Sequence, residues 1–293
     1  MHPIYKILLF QLLLVSFHLK AQKLDTFIGN YKGGNANSFL QPVTDVLTSS
    51  FNTGTAHKTS IDSGFHVYFG VITTTSFILS DKLKYFESQT PENFTPTQTA
   101  KVSTVLGPSS ITVVEGKNGT SYTFPAGLGL KAISLAAPQI TIGSLFGTEI
   151  SFRYMAFNFD DDFGKLSLMG VGIRHDIGKY FLKKSKFIVT TELNYQDLQI
   201  GKYSDLKTFK VGVYAGQQSK NFHYFTYLGY QSGKQNISYY NSSDEKDYSV
   251  QLTNKNPLLI GLGAGLKVSV LRIHTQINLI SPIAVALGIG LNF

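Results

Sequence analysis

The chain has 293 residues, with no Cys and no Trp but 16 Tyr, 22 Phe and 27 Gly. Lack of cysteine excludes a disulfide framework, a thiolate metal site, an iron–sulfur cluster, a cysteine nucleophile and a lipid-modified cysteine. Charged residues make up 15%, against about 25% in ordinary soluble domains. The net charge of +8 is scattered, with no Lys/Arg run longer than two, so no nucleic-acid partner is expected.

Residues 1–21 open with a short basic stretch. An apolar run of about 11 residues follows, and a small residue, Ala21, closes the segment; this is the layout of a cleaved signal peptide. The run is shorter than the roughly 20 apolar residues a spanning helix needs. Residues 22–61 hold a helical pattern in which Phe39, Val43, Val46 and Leu47, with Phe51, share a face. Asn35 and Asn37 are cap candidates, and Gly54 is a stop. Such a helix either plugs a barrel or caps its base; periodicity does not say what its face packs against.

From residue 62 onward the period is two. Phe65, Val67, Phe69 and Val71 alternate with Gly64, His66, Tyr68 and Gly70. Further strands are predicted near 132–143, 147–157, 164–177, 186–198, 206–217, 221–240, 258–270, 271–279 and 283–293. The apolar set moves from even to odd positions at Val270–Leu271, which marks a tight hairpin. Each run is about 10 residues long, as a tilted membrane strand requires. One face is apolar and the other small or polar, so a bilayer would meet the apolar face and the polar face would line the interior. The fold predicted for residues 62–293 is all-β: an antiparallel transmembrane β-barrel of about ten strands, within a range of roughly 8–14, preceded by the helical segment. Long connections (80–131, 158–163, 199–205, 241–257) fall on one side and short ones on the other, apart from a short 281–282 and a long 178–185. The first long loop, 80–131, contains 111–115 and 120–124 around Gly116-Lys-Asn-Gly119, a β-hairpin pattern. An ordered loop of this length is usually a lid or constriction.

Three blocks carry a family resemblance: Asn35-Ala-Asn-Ser-Phe-Leu-Gln-Pro42 with Ser50-Phe-Asn-Thr-Gly54, Gly172-Ile-Arg-His-Asp-Ile-Gly178, and the closing Gly288-Ile-Gly-Leu-Asn-Phe293. They resemble an uncharacterised family of Gram-negative outer-membrane barrels, itself similar to the FadL-type transporters of hydrophobic compounds. The terminal Phe293 resembles the assembly signal of such barrels. The resemblance implies outer-membrane location, contact with membrane lipid and the barrel-assembly machinery, and passage of a small hydrophobic or anionic amphipathic solute. FadL-type barrels usually have more strands. No catalytic residues and no cofactor come with the resemblance.

A charge on the lipid face costs about 2–4 kcal/mol at the midplane, so the mid-strand charges are assigned inward: His66, Arg153, Arg174, Glu192, Lys210, Lys267, Arg272 and His274. One acid among five Lys/Arg makes a basic lumen. Such a lumen either attracts anionic groups or is a filled polar network in which Glu192 bridges arginines. An enzyme is not expected. The candidates His175 and Asp176 point to opposite faces of a strand, and Asp160-Asp161-Asp162 lacks EF-hand spacing. A structural or interaction barrel in a secretion or surface-assembly complex is the rival reading, and an outer-membrane lipid-modifying enzyme the third.

Overall fold

A computed structural model describes residues 34–158, 164–182, 186–241 and 245–293. The signal-peptide segment and the Asp160–Asp162 run lie outside the described residues. Helix α1 (Gly34–Asn52) comes first, then strand β1 (His66–Phe77). The loop that follows holds a single helical turn, α2 (Asp81–Lys84), and two hairpins, β2–β3 (Tyr85–Gln89, Thr99–Ser103) and β4–β5 (Thr112–Glu115, Ser121–Phe124). Next come β6 (Ala132–Leu145), β7 (Thr148–Asn158), β8 (Lys165–Asp176), a turn of helix α3 (Gly178–Phe181), β9 (Phe187–Ile200), β10 (Ser204–Gln218) and β11 (Phe222–Asn241). The chain ends with β12 (Lys246–Thr253), β13 (Leu258–Val268), β14 (Leu271–Asn278) and β15 (Ala284–Asn292).

Ten strands close into an antiparallel barrel, β1 pairing with β15 on one side and β6 on the other, and β10 with β11. The 111–124 hairpin forms as predicted but stays outside the ring, so it does not raise the strand count. Strand β12 also adds no wall. It pairs with the upper half of β11 (Lys234–Asn241), while the lower half (Phe222–Tyr230) pairs with β13. The phase flip near Val270 is the β13–β14 turn, where Ser269 has φ +56°.

Alternation sorts the side chains as the sequence implied. Phe69, Ile140, Ile150, Phe152, Val171, Ile173, Leu193, Phe209, Val211, Val213, Leu262, Leu287 and Ile289 are exposed on the outside. Their strand neighbours Gln139, Arg153, Arg174, Glu192, Asn194, Gln196, Lys210 and His274 are buried inside. An apolar exterior around a polar interior inverts a water-soluble barrel and suits a lipid surround.

Residues 34–62 occupy that interior. Helix α1 descends from the long-loop end, the chain continues extended to the short-turn end, and β1 then climbs back as wall. Hydrogen bonds track the descent along β11 and β10: Thr44 to Gln235 (2.7 Å), Asn52 to Gln231 (3.2 Å), Thr55 to Tyr214 (3.4 Å) and Ser60 to Gln218 (2.6 Å). Asn35 and Asn37 lie inside the helix rather than capping it, and the Asn35 amide donates to Gln89 O. From Phe39 onward the helix is enclosed on all sides and not on one face, with Val43 half-buried, while Asn37 in its first turn is exposed. Thr44, Asp45, Thr48, Ser49 and Asn52 are as enclosed as Phe39, Leu40, Val46 and Leu47. A polar lumen can receive a polar helix face because each supplies the other's hydrogen bonds. Asp45 accepts from the Lys255 backbone N–H (2.7 Å) and the Gln41 amide (3.1 Å), while burial raises its carboxyl above the ordinary value.

Above the ring, Ala36, Phe39 and Leu40 join Ile78, Leu83, Val102, Val105, Leu106 and Phe124 of the first loop and Ile237, Tyr239 and Leu252 of β11–β12 in one apolar cluster. The helix is thus both plug and anchor for the cap. Gly54, with φ +76°, turns the chain below the helix, and a Cβ there would sit 2.4 Å from Ala286 Cβ. Replacing Gly54 by valine should therefore cost about 1–3 kcal/mol from the backbone conformation alone. Chemical unfolding of the refolded barrel is the readout, and an unchanged midpoint would contradict this path.

Candidate functional site

Two buried ionic clusters fasten the plug. In the lower one, Glu149 receives Arg174 Nη1 at 2.6 Å and has His66 Nε2 at 3.4 Å and Lys58 Nζ at 3.9 Å. Lys58, fully buried, also holds Asp62 at 2.8 Å. The Arg174 guanidinium reaches Thr59 O as well (3.3 Å), joining wall to plug. In the upper one, Lys210 Nζ lies 3.0 Å from Glu192 Oε2 and donates to Asn52 O (2.9 Å), Thr55 Oγ1 (2.6 Å) and Tyr214 OH (2.7 Å). Tyr214 OH in turn donates to Glu192. His57 stacks on Tyr68 at 4.2 Å, and Tyr68 OH contacts His274 Nε2 at 3.2 Å.

Two expectations are corrected here. Glu192 does not bridge arginines; its cation is Lys210, within 4.0 Å, while Arg174 pairs with Glu149. The lumen also holds more than one acid. Glu149 has the same strand parity as Arg153 in β7, so its inward position was legible although it was not singled out. Lys58, His57 and Tyr214 were missed too, the first two because an extended segment carries no period. Of the eight assigned charges, His66, Arg153, Arg174, Glu192, Lys210, Arg272 and His274 are buried. Lys267 is half-exposed at the short-turn rim. His175 contacts Thr148 Oγ1 (2.8 Å) and Tyr180 OH (3.1 Å), while Asp176 accepts from the Lys179 N–H, so the two do not act on each other.

One part of the wall and lumen departs from this polar pattern. The β6–β7 ladder runs from Leu145↔Thr148 up to Gln139↔Arg153 and stops. Above it β6 continues to Ala132 along β1, and β7 continues to Asn158 along β8. The two strands therefore part across residues 132–138 and 154–158. Pro138, with no N–H to give, stands where the ladder ends. Behind the parting the interior is apolar: Leu47 and Phe51 of the plug meet Ala137, Met155, Leu166, Leu168, Leu198 and Leu206.

A cleft at the parting is lined by Ser50, Phe51, Leu135, Ala136, Arg153 and Met155, among others. The space left in it is about 10 Å³, room for about one water molecule. At its base Arg153 donates to Gln139 Oε1 (2.8 Å), Gly54 O (2.7 Å), Phe51 O (3.3 Å) and Gln196 Oε1 (3.4 Å). All four acceptors are neutral. Among the described residues no carboxylate pairs with this buried cation.

A closed ten-strand antiparallel barrel with an internal plug and a parted wall defines the class of the protein. Over residues 1–293 the sequence matches the family of unknown function DUF6588, and the chain belongs to that family. No curated protein matches it. Among solved structures it is similar to the toluene transporter TbuX of Ralstonia pickettii, at 8% identity and TM-score 0.28 over 79% of this chain and 89% of that one. It is also similar to the FrpB iron transporter of Neisseria meningitidis, at 8% identity and TM-score 0.22 over 62% of this chain and 41% of that one. A third is the ferric-catecholate import receptor Fiu of E. coli K12, at 11% identity and TM-score 0.20 over 80% and 40%. The chain spans about two-fifths of the length of FrpB and Fiu. At these scores the likeness bears on neither solute nor mechanism.

Proposed function

We propose that this is an outer-membrane barrel that admits a small amphipathic molecule sideways, through the parting of β6 and β7. The observation that carries the reading is the apolar chamber behind that parting, in a lumen that is otherwise polar. A tail would lie against Leu47, Phe51, Met155 and Leu168, and an anionic head would reach Arg153, which among the described residues touches only neutral acceptors. On β6 the outward side chains change from Ile140 and Ile142 below the parting to Ser134, Ala136 and Pro138 beside it, and on β7 from Phe152 to Tyr154. That change suits the level of the lipid head groups, where an amphiphile resides. The FadL-type resemblance of the sequence points the same way. Phe51 fills the chamber, so loading requires the plug to shift.

Binding of dodecanoate and of neutral dodecanol to the purified barrel in detergent tests the reading. Phe51→Ala should strengthen both by enlarging the chamber. Arg153→Gln should weaken dodecanoate at least tenfold, about 1.4 kcal/mol, and leave dodecanol alone. Equal effects on both ligands, or none, would reject the head-group role. A second reading, an interaction barrel, is favoured by Ile111 and Val113, which are exposed on the β4–β5 hairpin. It predicts that a partner protein remains on the barrel after extraction and leaves when both residues become serine.

A further inference from the structure

The short-turn end of the lumen contains a cation that forms no ion pair among the described residues. Arg272, near the start of β14, is only 4% exposed and points inward, yet it makes no hydrogen bond among the described residues, and its Nε is buried without a partner. The carboxylate whose charge reaches it is Asp62, and that carboxylate is held by Lys58 at 2.8 Å. Directly across the ladder from Arg272 stands Lys267 of β13. Like charges in opposed cross-strand positions destabilise a sheet unless something lies between them.

A third group faces the same space. His223 of β11 lies opposite Gly265, two residues before Lys267 along β13. Its Nε2 is buried and unpartnered, and Arg272 is the charge that acts on it most strongly. Gly265 leaves room for the ring, since a Cβ there would fall 2.3 Å from His223 Cε1. Water reaches the edge of this space, because Lys267 is half-exposed at the rim and the Asp62 side chain is 35% exposed.

The geometry points to a binding site for a phosphate group, open to the short-turn end of the barrel and formed by Arg272, Lys267 and His223. A guanidinium fork matches two phosphate oxygens at once. The opposed ammonium and the imidazole nitrogen suit the remaining oxygens. A phosphate monoester carries about −1.5 to −2 charge near neutral pH, enough to offset both full cations, which a single carboxylate would not. On the proposed topology this end faces the periplasm, so the phosphate monoester comes either from a soluble compound there or from an inner-leaflet lipid that ends in a phosphate.

Titration calorimetry with inorganic phosphate, on the full barrel in an uncharged detergent, tests the site. Saturable binding is expected, at least tenfold weaker in Arg272→Gln and in Lys267→Gln, with Arg272→Lys between wild type and Arg272→Gln. Lys267 lies at the rim, so its variant tests the site even if Arg272→Gln fails to fold. The lipid source is tested by phosphorus NMR in nanodiscs containing phosphatidic acid, whose head group is a phosphate monoester. A head-group resonance displaced by wild type and not by Lys267→Gln, without heat from inorganic phosphate, assigns the site to lipid. Neither heat nor displacement in wild type, or variants that match wild type in both, would overturn the proposal. Dodecanoate reads the wall cleft separately, so either idea can fail alone.

Discussion

Replacing Glu149 by alanine is expected to be the most damaging single change in the lumen, costing about 3–5 kcal/mol. Its carboxylate faces Arg174, Lys58 and His66. Without it Lys58 would keep only Asp62, at the rim, and Arg174 only Glu192, opposite it on β9 and already paired with Lys210. The desolvation cost of a buried charge is met only while its partner stays. Glu149→Gln keeps the shape and some hydrogen bonds but not the charge, so it should fall between alanine and wild type. Denaturant unfolding of the lipid-reconstituted barrel measures both. The Glu149→Ala/Lys58→Met double variant should recover part of the loss, because it removes one stranded cation along with the anion. A double variant as unstable as the sum of its parts would show that Lys58 and Glu149 do not communicate.

Removing residues 34–61 should change the protein from silent to conducting in planar bilayers. About eight strands enclose an interior that wall side chains alone can fill. Ten enclose more, and here α1 and the chain below it take up the difference. The inner wall left behind carries Gln139, Glu149, Arg174, Glu192, Lys210 and Gln231, a wettable surface able to hold ions. Wild type should show no steps above background, and the shortened barrel should show frequent ones. If deletion prevents folding, Thr48→Trp gives the same test. Thr48 meets Gly233 so closely that a Cβ on that glycine would lie 1.9 Å from Thr48 Oγ1, so a large side chain there must unseat the helix. Silence from both proteins would mean that the helix is not what closes the barrel.

The wall was legible because a membrane strand has only two faces, and each face has its own chemistry. Ile289 and Leu291 against Gly288 and Gly290, or Val211 and Val213 against Lys210 and Gly212, place themselves, and the ten ranges followed from such runs. The plug was legible only as a helix. The Phe39–Leu47 stripe says that something apolar is near, but not that Thr44, Ser49 and Asn52 meet an equally enclosed polar wall. The extended chain after Gly54 has no period, so Lys58, which ties the lower cluster together, could not be found that way. The parting of β6 and β7 left a single trace, Pro138 in an otherwise regular strand. The β2–β3 hairpin was hidden because its residues, with Pro91 and Pro96 between the strands, read as plain loop.

The obstruction and the wall are one continuous stretch of chain: Asn52 ends the helix, and His66 already belongs to the first wall strand. A stopper joined to its vessel by so short a leash cannot be lost by dilution. Its local concentration at its own seat is on the order of millimolar for a short flexible link, whatever the number of copies in the membrane. Any excursion that loads or unloads the chamber therefore reverses by itself, and no second protein is needed to seal the barrel again.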